Sequence, residues 1–363
     1  MARVPHPTKP HPAMTYKEPA SVRFMRYGMT AFWVMLVLAL LYVGAWFVTS
    51  MSLRSGVQDW FAARQAEGYI AKYDDKRARI SGFPFSVKAT IKDVTLAPPV
   101  GPSGERPWVW APKHVTFSIT PLPWSVSTLT VDLSARQVLT VNRSTYSGKA
   151  KTFALTLDWM SDGLPADLRL LIEGLSLNAQ KQGAPVSIDK LTLQASRLSN
   201  GDYDFDLNTT RASLPSGLAG MGRRVDEIII RGLFNQNFAQ NSLDRVQLGQ
   251  WRDAGGTVEI NRIQVAYGPL LVQGNGTLAL DGGLQPVGAF SARIQGFFET
   301  LEALRRARVV RGPDASMAKV VLGMLLKYPE NGGQPSISLP ISIQDQAVFA
   351  GPVRLINIPT QNW

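Results

Sequence analysis

The 363-residue chain is 45% hydrophobic and 18% charged, a globular composition with enough apolar material for one large domain or two ordinary ones. Because it contains no cysteine, structural disulfides, thiolate zinc sites, iron–sulfur clusters and a cysteine nucleophile are all excluded. A formal net charge of +11 makes acidic surfaces, whether lipid headgroups or nucleic acid, its natural neighbours.

Residues 1–26 hold Pro5, Pro7, Pro10, Pro12 and Pro19, together with Arg3, Lys9, Lys17, Arg23 and Arg26 against a single Glu18. This predicts a disordered basic tail. No charged side chain occurs between Arg26 and Arg54, and the run from Phe32 to Val48 is almost wholly apolar. About 20 apolar residues in a helix cross the ~30 Å hydrocarbon layer, so a transmembrane helix is expected over 27–50. A cleaved signal peptide is the rival reading. Its apolar region is normally ~7–15 residues long, and Thr49-Ser50-Met51-Ser52 is a poor cleavage site, so a retained anchor is expected. The flanking charges place the N-terminus in the cytoplasm and the rest of the chain beyond the membrane. Over 51–71, Val57, Trp60, Phe61 and Arg64 recur at helical spacing, and Gly68-Tyr69 close the pattern, which predicts a juxtamembrane helix.

From residue 72 to 363 the chain reads as strands. Val115-x-Phe117-x-Ile119, Leu129-x-Val131-x-Leu133, Phe153-x-Leu155-x-Leu157-x-Trp159, Tyr203-x-Phe205-x-Leu207 and Ile337-x-Leu339-x-Ile341-x-Ile343 alternate apolar with polar. Glycine, proline, asparagine and aspartate separate such runs, as at Ser199-Asn200-Gly201-Asp202 and Asp281-Gly282-Gly283. The expected fold is mainly β with a few helices: an N-terminal transmembrane helix followed by one or more large, curved or sandwiched antiparallel sheets. Helices are expected only at Leu214–Gly222, Glu299–Val309 and Asp314–Lys327. These are too few to cover so many apolar strand faces. The sheet must curl, sandwich against itself, or hold something apolar. A similarity between Pro121-Leu122 with Thr128–Asp132 and Pro269-Leu270 with Thr277–Asp281 raises the expectation of two similar halves, split near 217–224.

Chemistry-bearing residues are sparse. His114 is the one histidine beyond the anchor, it opens a strand, and no Gly-x-Ser-x-Gly elbow accompanies it. Asp202, Asp204 and Asp206 share a strand face, but neither the glycine nor the glutamate of a calcium loop follows them. No phosphate-binding loop is present. The expectation is a chain with no catalytic residue, no metal and no cofactor. The dense basic cluster Arg305, Arg306, Arg308 and Arg311 reads either as a contact for anionic lipid or as a solvated helix face. Membrane lipid is the expected partner, and nucleic acid is not.

Several phrases carry a resemblance: Ile80-Ser81-Gly82-Phe83-Pro84-Phe85 after the anchor, Trp108-x-Trp110-Ala111-Pro112, Tyr267-Gly268-Pro269-Leu270 and Gly351-Pro352-Val353-Arg354-Leu355. With them the chain resembles an uncharacterised family of alphaproteobacterial single-pass membrane proteins, of which Gly82, Phe83, Pro84 and Phe85 form the most specific element. In layout it is similar to AsmA-like envelope proteins, which carry an inner-membrane helix and long curved sheets in the periplasm. The resemblance implies a periplasmic domain handling envelope lipid on an apolar curved sheet. The alternative is a tethered scaffold for another membrane complex, with a closed, dry core.

Overall fold

The computed structural model describes residues 20–100, 104–121, 127–141, 143–159, 165–181, 183–216, 220–235, 245–308, 319–320, 323, 326–328, 334–351 and 353–361. The chain forms two compact units, Met1–Val48 and Thr49–Trp363. One helix, α1 (Ala20–Ala66), contributes to both.

From Tyr27 to Val48 the helix carries no charged side chain and is apolar on every side. Phe32, Trp33, Met35, Leu38, Leu40 and Leu41 are each more than half exposed. A helix apolar all round and largely uncovered by protein is suited to hydrocarbon rather than water, and α1 is long and apolar enough to cross a membrane. The helix already begins at Ala20, so the tail expected to be unfolded through residue 26 is helical over its last turns. Residues 1–19 lie outside the described residues.

In the second unit the same helix becomes one-sided. Leu53, Val57 and Phe61, four residues apart, are buried, whereas Trp60 is 47% exposed. The buried stripe therefore keeps Val57 and Phe61 of the expected face, extends back to Leu53 and leaves Trp60 largely outside it. The helix ends at Ala66, earlier than expected. Gly68 takes a φ of 83°, while the Tyr69 N–H donates to Arg64 O at 3.0 Å and the Gly68 N–H to Gln65 O at 3.0 Å. This double closure around a left-handed glycine is a Schellman cap.

Strands follow: β1 (Ile70–Ser81), β2 (Val87–Ala97), β3 (Trp108–Trp110), β4 (His114–Ile119), β5 (Thr128–Asp132), β6 (Gln137–Val141), β7 (Ser144–Lys149), β8 (Thr152–Trp159), β9 (Pro165–Ala179), β10 (Val186–Arg197), β11 (Tyr203–Ser213) and β12 (Arg224–Phe234). After α2 (Arg245–Asp253) come β13 (Val258–Tyr267), β14 (Leu270–Leu280) and β15 (Pro286–Gln295). Then α3 (Phe297–Arg306) precedes β16 (Ser336–Gln344), β17 (Ala347–Ala350) and β18 (Val353–Asn357). Strand makes up 53% of the described residues, and among them every pairing is antiparallel, within one 18-stranded sheet. The order is a meander. β3 with β4, β5 with β6, and β7 with β8 are each one run broken midway, and each run pairs with the runs before and after it.

The breaks line up across the sheet. Asp93 in β2 has a φ of 51°, Gly174 in β9 of 59° and Arg211 in β11 of 47°. Asp189 in β10 is skipped by both neighbouring ladders. Side chains on one face of a strand recur every two residues. Here the apolar or buried positions step by three: Ile91 to Val94, Ile172 to Leu175, Ile188 to Leu191, Thr209 to Ala212, and Val225 to Ile228. One extra residue per run keeps the apolar side chains on the same side while the strand bends. The result is a crease from β2 to β12, bridged by hydrogen bonds such as Asp93 N–H to Lys113 O at 3.1 Å and Lys113 N–H to Arg136 O at 2.8 Å.

Among the described residues, three apolar clusters stand out. Val57 and Phe61 of α1 join Ala71, Ile91, Val94, Val115, Val131 and Leu133. Ile172, Leu175 and Leu177 form a second cluster, and Met221, Val225, Tyr267 and Ala303 a third. Helix α2 seats Trp251 on Phe234, with ring centroids 5.4 Å apart, and its indole N–H donates to Asn235 O at 2.6 Å. Helix α3 buries Phe297, Thr300 and Ala303.

Two of the three expected helices need correction. Glu299–Val309 corresponds to α3, displaced to Phe297–Arg306. The described residues of Leu214–Gly222 are not helical, because they make the turn between β11 and β12, where Leu214 N–H donates to Arg223 O at 2.8 Å. That turn lies inside the single unit Thr49–Trp363. Most of Asp314–Lys327 lies outside the described residues. Helix α2 was not expected at all, since its buried side chains are only Gln247, Leu248 and Trp251.

Glycines make room for aromatic rings on the apolar side. A Cβ on Gly276 would stand 2.3 Å from the Phe290 ring and 2.3 Å from Ala289 O. Gly276→Ala is expected to cost about 1–3 kcal/mol by overpacking. It should lower the urea midpoint of the Thr49–Trp363 unit without changing the slope of the transition.

Candidate functional site: an apolar sheet face

The registers assemble the alternating side chains into rows that cross most of the sheet. One row runs Ala89, Phe117, Val131, Leu155, Leu170, Leu193, Leu207, Ile230, Ile263, Gly274, Ala292 and Leu339, from β2 to β16, each directly opposite the next. A second runs Val87, Ile119, Leu129, Leu157, Leu168, Ala195, Phe205, Gly232, Ile260, Gly276, Phe290 and Ile341. A third crosses β8 to β16 through Phe153, Ile172, Leu191, Thr209, Ile228, Val265, Val272, Ile294 and Ile337, with Thr209 its one polar member.

The opposite side is polar. Lys88, Ser118, Thr130, Thr156, Arg169, Gln194, Asp206, Arg231 and Arg262 follow one another in register, and Arg231 pairs with Asp206 at 2.8 Å. From β2 to β13 the sheet is therefore sided, over roughly 40 Å at the usual ~4.8 Å between strands.

Cover on the apolar side is uneven. Near β1–β8 it is supplied by Val57 and Phe61 of α1. Helix α2 reaches the β12 end and the β14–β15 turn, where Arg252 donates to Gly282 O at 3.0 Å. Helix α3 packs near the opposite strand ends, beside Met221 and Tyr267. Between these, Leu193, Leu207, Ile230, Ile263 and Leu339 remain only half-buried. Apolar side chains left partly in contact with water form a surface that gains free energy when an apolar ligand covers it.

Residues 46–359 match the family described as "Uncharacterized protein conserved in bacteria (DUF2125)". The chain belongs to DUF2125. The match covers the crease, the apolar rows and both later helices. No curated protein and no solved structure matches the chain.

The Gly82–Phe85 element of this DUF2125 chain forms the turn between β1 and β2. Gly82 has a φ of 100°, and a Cβ there would lie 2.5 Å from Ser86 O, so the turn requires glycine. The Ser86 N–H donates to Gly82 O at 2.9 Å, and the Phe83–Pro84 bond is cis. Phe83 and Phe85 are 56% and 82% exposed. The role of this element that is visible locally is a tight turn presenting two aromatic rings.

The arginine cluster is only partly brought together. Arg305 pairs with Glu302, Lys319 reaches the same carboxylate at 2.9 Å, and the Arg306 guanidinium donates to the Glu302 carbonyl at 3.4 Å. Arg308 is exposed, and Arg311 lies outside the described residues. Hydrogen bonds from Arg305 and then Lys319 hold the Glu302 carboxyl down to about 2. Because this folded value lies below the unfolded one, the contribution of the cluster is complete above the ordinary carboxylate range and is lost as pH falls through about 2. Following the Glu302 carboxyl carbon by NMR should give a midpoint near 2, and Arg305→Gln should raise it.

His114 lies on β4 opposite Lys92 in the ladder, on the polar side. Asp202 lies at the turn with Asn200, and Asp206 with Arg231, so the three aspartates do not converge. Among the described residues no group of three histidine or acidic side chains could hold a metal ion.

Proposed function

We propose that this DUF2125 chain is a non-catalytic, membrane-anchored protein of the bacterial cell envelope that handles lipid by holding acyl chains on its apolar sheet face. The observation that carries this reading is the set of apolar rows from β2 to β16, half-buried between the helices that cover their margins. Each acyl methylene taken from water onto such a surface contributes about 0.8 kcal/mol. The anchor sits in the inner membrane with its N-terminus in the cytoplasm, as the basic flank of the span argues, and the sheet is periplasmic. In this reading the chain is an alphaproteobacterial protein of AsmA-like layout. Arg305, Arg306, Arg308 and Arg311 supply a contact for anionic headgroups.

A photoreactive benzoylphenylalanine at Leu207 tests the reading in cells. Leu207 lies within the apolar rows and Asn208 beside it lies on the polar side. Illumination is expected to attach phospholipid at position 207 and not at 208. Attachment of a single protein at 207, with no lipid, would replace the reading by the tethered scaffold.

A further inference from the structure

A second site lies on the polar side of the sheet, independent of the apolar rows. Between Asp74 and Arg79, β1 advances five residues while its partner β2 advances only from Lys92 to Thr90. The surplus residues of β1 bow away from the ladder. Beside this bulge lies a cavity of about 790 Å³, lined by Arg79, Thr90, Lys92, Asp93, Lys113 and His114 among others. The ladders bring these residues together: Arg79 is opposite Thr90, and Lys92 is opposite His114. Asp93 is the left-handed residue at the crease, and its N–H donates to Lys113 O at 3.1 Å.

The charge around the cavity is unbalanced. Three cations and a histidine face one carboxylate. Some arginines of this unit are matched with acids, as Arg54 with Asp75, Arg143 with Glu105, Arg211 with Asp189 and Arg231 with Asp206. Arg79, Lys92 and Lys113 form no ion pair among the described residues. Like charges gathered around a cavity repel one another and lower the free energy of any anion that enters. An arginine fork and two ammonium groups approaching from three chain segments suit a tetrahedral anion with several oxygens better than a planar carboxylate. The Thr90 hydroxyl, 3.0 Å from that of Thr116, adds a neutral donor or acceptor at the wall.

We propose that this cavity binds a phosphate group, either on a phospholipid headgroup or on a soluble phosphoester, through Arg79, Lys92 and Lys113. His114 is the reporter, because the other two histidines, His6 and His11, precede the span. The full chain, labelled with ¹⁵N-histidine, is placed in nanodiscs of phosphatidylcholine, whose headgroups carry no net charge, and inorganic phosphate is added. The His114 imidazole signal, assigned by its loss in His114→Gln, is expected to shift saturably. In Lys92→Gln/Lys113→Gln the half-saturating concentration should rise at least about tenfold, as loss of two charge-assisted contacts requires. Arg79→Gln gives a second variant, and a thermal unfolding midpoint equal to the parent's shows that each is folded.

The source is then read from phosphatidylglycerol nanodiscs without added phosphate. If His114 already stands at its bound position and phosphate no longer moves it, the ligand is a headgroup. If it moves only when phosphate is added, the ligand is soluble. No saturable shift in either nanodisc, or an unchanged response in folded charge variants, would overturn the site and leave the apolar face untouched.

Discussion

Aspartate at both Leu207 and Ile230 is expected to remove phospholipid from the Thr49–Trp363 unit while leaving it folded. The two residues are directly opposite one another in the ladder and half-buried, near the middle of one of the two longest rows. An acyl chain crossing them would have to take two carboxylates out of water, and the effective penalty for that is several kcal/mol per ion. Each 1.4 kcal/mol is a factor of ten, so a loss of at least about 100-fold in affinity follows. Without a ligand, half-exposed carboxylates stay hydrated, which is why the fold survives. The readout is phospholipid per mole of protein, by extraction and mass spectrometry of the unit purified without detergent. Asn208→Asp and Gln194→Asp put the same charge on the polar side and should change nothing. Equal lipid content in the Leu207/Ile230 variant and the parent would sink the acyl-chain reading.

Phe61→Ala is expected to be the most costly single truncation of the helix that opens this unit. Phe61 is 4% exposed, its ring lies 4.7 Å from that of Tyr73, and it belongs to the cluster that joins α1 to β1, β2, β4 and β5. Removing a buried phenylalanine leaves a cavity and costs about 3–5 kcal/mol. Trp60, one position on and 47% exposed, should cost less than about 1 kcal/mol when truncated, despite being larger. Urea unfolding of the two variants decides the matter, and equal losses would show that Phe61 is not the anchor of this end. The same packing places the start of a stable soluble fragment at Thr49. A fragment beginning at residue 72 would lack Leu53, Val57, Phe61 and the buried Ala71.

The burial of Phe61 and exposure of Trp60 illustrate what periodicity alone leaves open. Both residues fit a helical stripe, and the choice between them depends on where β1 lies against the helix. Helix α2 was illegible for a related reason. Only Leu248 and Trp251 among its apolar residues are buried, and Trp251 is held by Phe234 and Asn235 from a distant strand. The turn at Leu214–Gly222 resembled a helix because it is apolar, yet Gly220 takes a φ of 85°, and a Cβ there would meet Ala303 O at 2.3 Å. Contact with α3, remote in the chain, fixes its path.

Period-two alternation and turn residues by themselves determined a membrane-length apolar helix followed by a mainly antiparallel β unit, because both patterns follow from local backbone geometry. They also showed that apolar strand faces outnumber the helices that could cover them. Only the tertiary structure decided that these faces join into continuous rows, since a row is a statement about register, and register depends on partners far away in the chain. The crease arises in the same way. One extra residue in each run looks like a local lapse of alternation, and only side-by-side pairing aligns Asp93, Gly174, Asp189 and Arg211 into one bend. The cavity of Arg79, Lys92, Lys113 and His114 was equally hidden. Its cations belong to three chain segments, and the bulge in β1 that opens it exists only against the shorter path of β2.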